Sequence, residues 1–256
     1  MGRGKSKGVV LFLVEGPSDE TALVGPFKAL WGISGGCPTI EVESEAFHCD
    51  VTTVHLFSHD VDFAVTGHVL RNVNNLIKER IERRHAYGWR DLKRVIHIVD
   101  LDGAFIPKSC IRQGTEHRFV YGDEFIEAID VSEVARRNDA KAASLRKLIS
   151  ASTIRHGNLR IPYGVYFLSR NLEHALYGLP QDLSDSNKEA LSVAFADRYA
   201  NDPEGFSRLL RSSGVCVPGE DLMETWDYAQ RDANSLKRGS NLHLLINCLR
   251  SDSQTE

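Results

Sequence analysis

The sequence predicts an α/β protein: an open, mostly parallel sheet flanked by helices, with a helical C-terminal part. Three observations carry that expectation. The runs Gly8–Val14, Arg94–Val99 and Tyr163–Leu168 are aliphatic, β-branched and of strand length, the pattern of strands buried on both faces. Stretches with helical spacing lie between and after them. Beyond Pro180 the pattern changes to helices separated by turns.

Residues 1–7, with Arg3, Lys5 and Lys7 among glycines and a serine, read as a flexible basic arm. The first strand stops at Glu15-Gly-Pro-Ser-Asp19, a turn in which Ser18 or Asp19 can cap a helix running through Ala22, Leu23, Phe27 and Leu30 to Gly35 and Gly36. Ile40–Phe47 alternates apolar and acidic residues and suits a strand with one wet face. From about Asp62 onward Val69, Leu70, Val73, Leu76, Ile77 and Ile81 recur at helical spacing through Arg84. The second buried strand ends in Asp100-Leu-Asp102-Gly103, and the third leads through Ser169-Arg-Asn-Leu-Glu173 into another helix. Further helices are expected at roughly 184–200, 203–212, 220–231 and 239–250. The chain then divides into the arm at 1–7, an α/β domain at 8–180 with an inserted segment at about 104–160, and a helical region at 181–256.

At 256 residues, 42% hydrophobic and 26% charged, the chain can bury a large core and is neither collagen-like, coiled-coil nor disordered in composition. No apolar run approaches the roughly 20 residues of a membrane span, and the opening strand lacks the pattern of a signal peptide. The five cysteines, Cys37, Cys49, Cys110, Cys216 and Cys248, are odd in number, widely spaced and without a Cys-x-x-Cys pair. A reduced, cytoplasmic protein with no structural zinc is therefore expected. His48, Cys49, Asp50, His55, His59 and Asp60 match no zinc spacing and read as solvated or core side chains.

The formal net charge of −4 argues at first against a nucleic-acid partner, but the charge is segregated. Residues 1–179 carry 23 basic and 22 acidic side chains, whereas residues 180–256 carry 8 and 13. Three strands each deliver carboxylates within five residues of their carboxyl ends: Glu15 with Asp19, Asp100 with Asp102, and Glu173. Ligands bind at that edge of an open α/β sheet. Like charges gathered there repel one another, and a hard divalent cation, magnesium or manganese rather than zinc, is the economical remedy. At a strand end the i, i+2 spacing of Asp100 and Asp102 lets both carboxylates face one ion.

A strand ending in Val-Glu-Gly-x-Ser-Asp, then a helix, and later a strand ending in Asp-x-Asp resembles the TOPRIM domain of topoisomerases, bacterial primases, small maturation ribonucleases and OLD-family nucleases. The resemblance covers roughly residues 8–178, with the two motifs 85 residues apart. It implies an open, Rossmann-like sheet, with Glu15 as metal ligand or general acid/base and Asp100 and Asp102 as the metal-binding pair. Within the OLD-like branch it implies Asp19, Ser169 and Glu173 as further ligands. A downstream lysine, here Lys237, would complete a site for two Mg2+ or Mn2+ ions. No tyrosine is placed as a topoisomerase nucleophile, and no helicase or zinc module is attached. The resemblance therefore points to a stand-alone nuclease acting on DNA or RNA, like the components of bacterial anti-phage systems that work beside a separate ATPase.

Two basic stretches fit a polyanionic substrate. Residues 71–94 carry eight Lys and Arg against three acids, with Tyr87 and Trp89 interleaved, and residues 133–160 carry seven against two. Arg80, Arg83, Arg84, Arg90, Arg136, Arg137, Arg146 and Lys147 are the candidate nucleic-acid contacts. Two other readings stay open. A hydrophobic strand followed by Asp-x-Asp-Gly also opens haloacid-dehalogenase-type phosphatases, with Asp100 as nucleophile; here 99 residues precede it, and the acidic pair Gly122-Asp-Glu124 follows only 20 residues on. The chain also reads as a binding module that acts when docked on an ATPase, its acidic C-terminal region facing the partner. A homodimer is the default assembly.

Overall fold

The computed structural model describes residues 8–32, 68–180 and 183–246. All three predicted strands are present and adjacent. Strand β1 (Val9–Leu13) pairs in parallel with β2 (Leu92–Asp100), which pairs in parallel with β7 (Leu159–Leu168). A fourth strand, β6 (Thr153–His156), closes one edge by pairing antiparallel with β7, so the order is β1-β2-β7-β6 and the sheet is mixed. β6 carries no aliphatic run, and only Ile154 of its four residues is buried, which is why the sequence did not mark it.

The long helices α1 (Pro17–Gly32) and α2 (Val69–Arg84) cover opposite faces. Ala22, Leu23, Phe27 and Trp31 of α1 pack with Val10, Phe12, Ile96 and Ile98, whereas Val69, Val73, Ile77 and Ile81 of α2 pack with Leu11, Val95, Val99 and Val165. Adjacent strand residues point to opposite sides, so continuous apolar runs serve two cores at once. The expected strand at Ile40–Phe47, the start of the helix near Asp62, and His48, Cys49, Asp50, His55, His59 and Asp60 lie outside the described residues.

The inserted segment at 104–160 folds into a second, three-stranded sheet, β3 (Ile111–Gln113), β5 (Ile126–Ala128) and β4 (Val120–Tyr121), and the 19-residue helix α3 (Val131–Ile149) before reaching β6. Asp130 caps α3 by accepting the Glu133 N–H at 2.9 Å. The helix expected after Glu173 is a single π-turn, Glu173–Tyr177, stopped by Gly178 at φ 73°.

C-terminal helices α4 (Asp185–Ala200), α5 (Pro203–Leu210) and α6 (Leu222–Ala229) fall where the sequence places them. The last expected helix, at 239–250, is a 3-10 segment over Leu242–Ile246, with 247–250 outside the described residues. This region shares both cores of the sheet: Phe206, Leu210 and Leu242 join the α1 side, and Val217 and Trp226 join the α2 side. Side chains also tie it to β7. The Trp226 indole donates to Val165 O at 2.9 Å, and Asn241 accepts the Phe167 N–H at 2.8 Å.

His97 stands fully buried in the middle of β2, its Nδ1 2.7 Å from the Tyr163 hydroxyl and its Nε2 without a hydrogen-bond partner among the described residues. Burial lowers its pKa from 6.5 to about 4. A depressed histidine pKa means that the fold accepts only the neutral ring. That stabilisation is complete above pH 6.5 and is lost as pH falls from there through 4. Between pH 7.5 and 4.5 the wild type is expected to lose about 2–3 kcal/mol more unfolding free energy in urea than His97→Gln; equal losses would refute the assignment.

Candidate functional site

The carboxyl ends of β1, β2 and β7 meet where α3 crosses them, and each contributes an acid through a distinct local device. After β1 the chain turns at Glu15 and Gly16, and the Gly16 N–H donates to Asp19 Oδ2 at 2.9 Å across the first turn of α1. Asp19 is thereby buried, and burial pushes its pKa up to about 7, with the charge of Glu173 adding and the Gly16 hydrogen bond and Lys188 opposing. Glu173, itself buried, opens the π-turn after β7. The acids predicted at the first and third strand ends therefore share one electrostatic neighbourhood.

At the end of β2 the backbone does not continue as a strand. Asp102 and Gly103 both adopt left-handed conformations, φ 48° and 70°. Glycine is required at the second position, because a Cβ on Gly103 would lie 2.7 Å from Leu236 Cδ2 and 2.9 Å from Ile126 Cδ1. A tight turn, not strand alternation, thus sets the direction of Asp102, whose charge acts on Asp100. Asp100 has its pKa raised well above the ordinary carboxylate value, first by burial and then by the charges of Glu15, Asp19 and Asp102, with Lys141 opposing.

Three consecutive-turn residues of α3 hold that left-handed turn. Arg137 Nη2 donates to Asp102 O at 2.9 Å, Asn138 Nδ2 to Gly103 O at 3.1 Å, and Lys141 Nζ to the Asp102 carboxylate at 2.5 Å. The ammonium of Lys141 also lies 3.9 Å from Glu15 Oε2. Its side chain is only 3% exposed. Burial disfavours its charge, yet Asp102, Glu15 and Asp100 together outweigh that and hold its pKa above the ordinary lysine value.

Lys141 went unmarked in the sequence except as one cation of a basic stretch. A signal was present: on α3 the stripe Val134, Asn138, Lys141, Leu145, Leu148 has helical spacing and is otherwise apolar, so an amide and an ammonium sit where core residues belong. Lys237, the lysine singled out instead, is exposed and donates to Asn234 Oδ1 at 3.0 Å. Its loop does approach the site, since the Gly239 N–H donates to Ser169 Oγ at 3.1 Å. Ser169 is buried at the end of β7, with its hydroxyl 3.2 Å from His174 Nδ1. Burial lowers the His174 pKa to about 4, with Arg170 and Arg238 adding, so the pair is neutral.

Several expected phosphate contacts are committed elsewhere. Arg80 and Arg137 are buried. Arg137 also donates to Tyr121 Oη at 3.0 Å and to Asn138 Oδ1, which makes it a positioning residue for the Asp102 turn rather than an open cation. Arg83 pairs with Glu79 along α2, the Arg84 side chain lies outside the described residues, and Arg146 donates to Gln230 Oε1 at 3.2 Å with its guanidinium over the Phe105 ring. Arg90 and Lys147 are exposed. Arg136 is also exposed and lines a cleft of about 890 Å³ with Lys108, Gln113 and Ile129.

The donor set fits a hard divalent ion in kind: Glu15, Asp19, Asp100, Asp102 and Glu173 offer only oxygens, and the charge of Asp100 is poorly compensated. In position the cluster is closed on Lys141, and among the described residues no three His, Cys, Asp or Glu side chains stand within common reach of one ion. Cys110 and Cys216 are free thiols; the other three cysteines lie outside the described residues. No described helix is long and apolar enough to cross a membrane. No protein-family model matches the chain, and no curated protein or solved structure matches it.

Proposed function

We propose that the protein is a divalent-metal-dependent nuclease that hydrolyses phosphodiesters of DNA or RNA at the acidic cluster. The observation that carries this reading is Asp100: a half-buried carboxylate on which the charges of Glu15, Asp19 and Asp102 act together, with Lys141 as its opposing charge. A cluster that strains against its own charge at the carboxyl ends of three parallel strands is arranged for a cationic ligand. The resemblance of the Glu15 and Asp100 motifs to TOPRIM nucleases supports the same chemistry.

Glu15, Asp100 and Asp102 are the residues that would hold Mg2+ or Mn2+. As they stand they are closed on Lys141 and not within common reach of one ion, so binding would require them to turn from the ammonium to the metal. Asp19 and Glu173 would serve a second ion. Bound there, such ions supply Lewis-acid stabilisation of the phosphoryl oxygens and lower the pKa of an attacking water. The chain's own contribution is positional and electrostatic. Arg137 and Asn138 fix the carbonyls of Asp102 and Gly103, and so the direction of the Asp102 carboxylate. Lys141 keeps its proton and is a fixed positive charge able to offset charge gathering on the phosphate.

The test is cleavage of labelled DNA and RNA with Mg2+, with Mn2+ and with EDTA. Cleavage is expected with either ion, none with EDTA, and a fall of at least about a hundredfold in Glu15→Gln and Asp102→Asn with the fold retained. Full activity of Asp102→Asn, or cleavage indifferent to EDTA, would sink the proposal.

A further inference from the structure

The opposite, amino-terminal edge of the sheet has a charge problem of the reverse sign. Arg155 and Arg160 are direct cross-strand partners in the β6–β7 ladder, and both are exposed. Ile154 and Ile161, the next pair, are buried, so the two guanidinium groups share the open face. Like charges directly opposite destabilise a sheet. Lys93 precedes Val95 by two residues and Arg160 precedes Tyr163 by three, and Val95 pairs with Tyr163, so Lys93 emerges at the same edge, with Arg90 just before it. Arg90 and Lys93 are exposed too.

Neighbouring acids are engaged elsewhere. Asp91 accepts the Gly88 N–H at 2.8 Å, and Glu79 and Glu82 pair with Arg83 and Lys78 along α2. Among the described residues, none of Arg90, Lys93, Arg155 and Arg160 forms an ion pair. The edge is also built rigidly. Asn74 Nδ2 of α2 donates to Arg155 O at 3.0 Å, and the Trp89 ring stacks flat on His156, centroids 4.2 Å apart at 4°. A repulsive, well-positioned group of cations in a protein of net charge −4 calls for a polyanion.

We infer that the Arg155–Arg160 pair, with Arg90 and Lys93, is a second docking point for the phosphate backbone of nucleic acid, distant from the acidic cluster; this rests on the nuclease reading. Arg160 and Leu168 are eight residues apart along β7, roughly 26 Å. At about 3.4 Å per base pair, a duplex of roughly eight base pairs spans that distance. Shorter substrates reach the acidic cluster without the arginines, and longer ones engage both.

The experiment compares wild type, Arg155→Gln/Arg160→Gln and Arg155→Lys/Arg160→Lys on three substrates: bis-p-nitrophenyl phosphate, a short duplex of four base pairs and a duplex of 20, with Mn2+ present. Binding of the 20-base-pair duplex is followed by fluorescence anisotropy against salt. The glutamine variant is expected to bind it about tenfold more weakly, with the salt slope reduced by about two, and to show a raised KM with kcat unchanged. Its activity on the two small substrates is expected to equal wild type, and the lysine variant is expected to retain most of the duplex affinity. Unchanged affinity and slope in the glutamine variant would overturn the docking point, as would equal losses on all three substrates. A wild type that neither binds nor cuts the duplex overturns the nuclease reading, and the docking point with it.

Discussion

Lys141→Met is expected to destabilise the protein at pH 7.5 by about 3 kcal/mol in urea unfolding. Removing one partner of a buried ion pair costs about 3–5 kcal/mol, because the remaining charge keeps its desolvation penalty without its compensation. The lower end applies here because Asp102 is 34% exposed, although Glu15 is only 12% exposed. Methionine nearly preserves the volume, so packing is not the main loss. The sign with pH follows from the carboxylates left behind. Lys141 opposes the already raised pKa of Asp100, so without the ammonium that pKa rises further, and a carboxyl group with a raised folded pKa has its stabilisation below the unfolded value and loses it as pH rises through the folded one. The gap between variant and wild type should therefore be widest at pH 7.5 and narrow at pH 4.5. A gap that is absent, or equal at the two pH values, would show that Lys141 does not neutralise the cluster.

Asp100→Asn is expected to move stability and activity in opposite directions. The raised pKa of Asp100 means that its charged form is disfavoured in the fold. Stability from this group is full below pH 3.8 and is lost as pH rises through the raised value, so the neutral amide removes a penalty at pH 7.5. The thermal midpoint without divalent ions should rise, and cleavage should fall by at least about a hundredfold. The wild type should gain thermal stability from added Mn2+ that the variant does not share, a readout independent of catalysis. A variant that is both less stable and fully active would refute the placing of Asp100 in the site. Such opposition is the ordinary signature of functional residues held against their preference.

The strands that carry the acids were legible because continuous apolar runs have one structural meaning when a turn and a helix follow. The acids were legible because chain position alone puts Glu15, Asp100 and Glu173 at strand ends. What escaped was set by tertiary contacts. β6 is a strand because β7 gives it hydrogen-bonding partners, and its own residues, Thr153 to His156, carry no periodic signal. The helix expected after Glu173 stops within five residues because Gly178 turns left-handed there. Lys141 lies 39 residues from Asp102 and 126 from Glu15, and the crossing of α3 over the strand ends has no counterpart in local spacing. Lys237, taken as the downstream lysine that the TOPRIM resemblance implies, is exposed and bonded to Asn234, and the helix stripe of α3 places Lys141 at the acids instead.

That crossing has a further consequence. Helix α3 lies in the segment between β2 and β6, outside the strands that carry the acids, yet it supplies the cation that makes the acidic edge tolerable and the two side chains that grip the Asp102 turn. The stretch from β3 to α3 is consequently not a detachable ornament on the four-stranded sheet. Trimming it, or exchanging it for another loop, would discard the counter-charge together with the small sheet, and the carboxylates of β1 and β2 would be left facing one another. Anyone shortening or transplanting this framework must carry residues 137 to 141 along with the acids they serve.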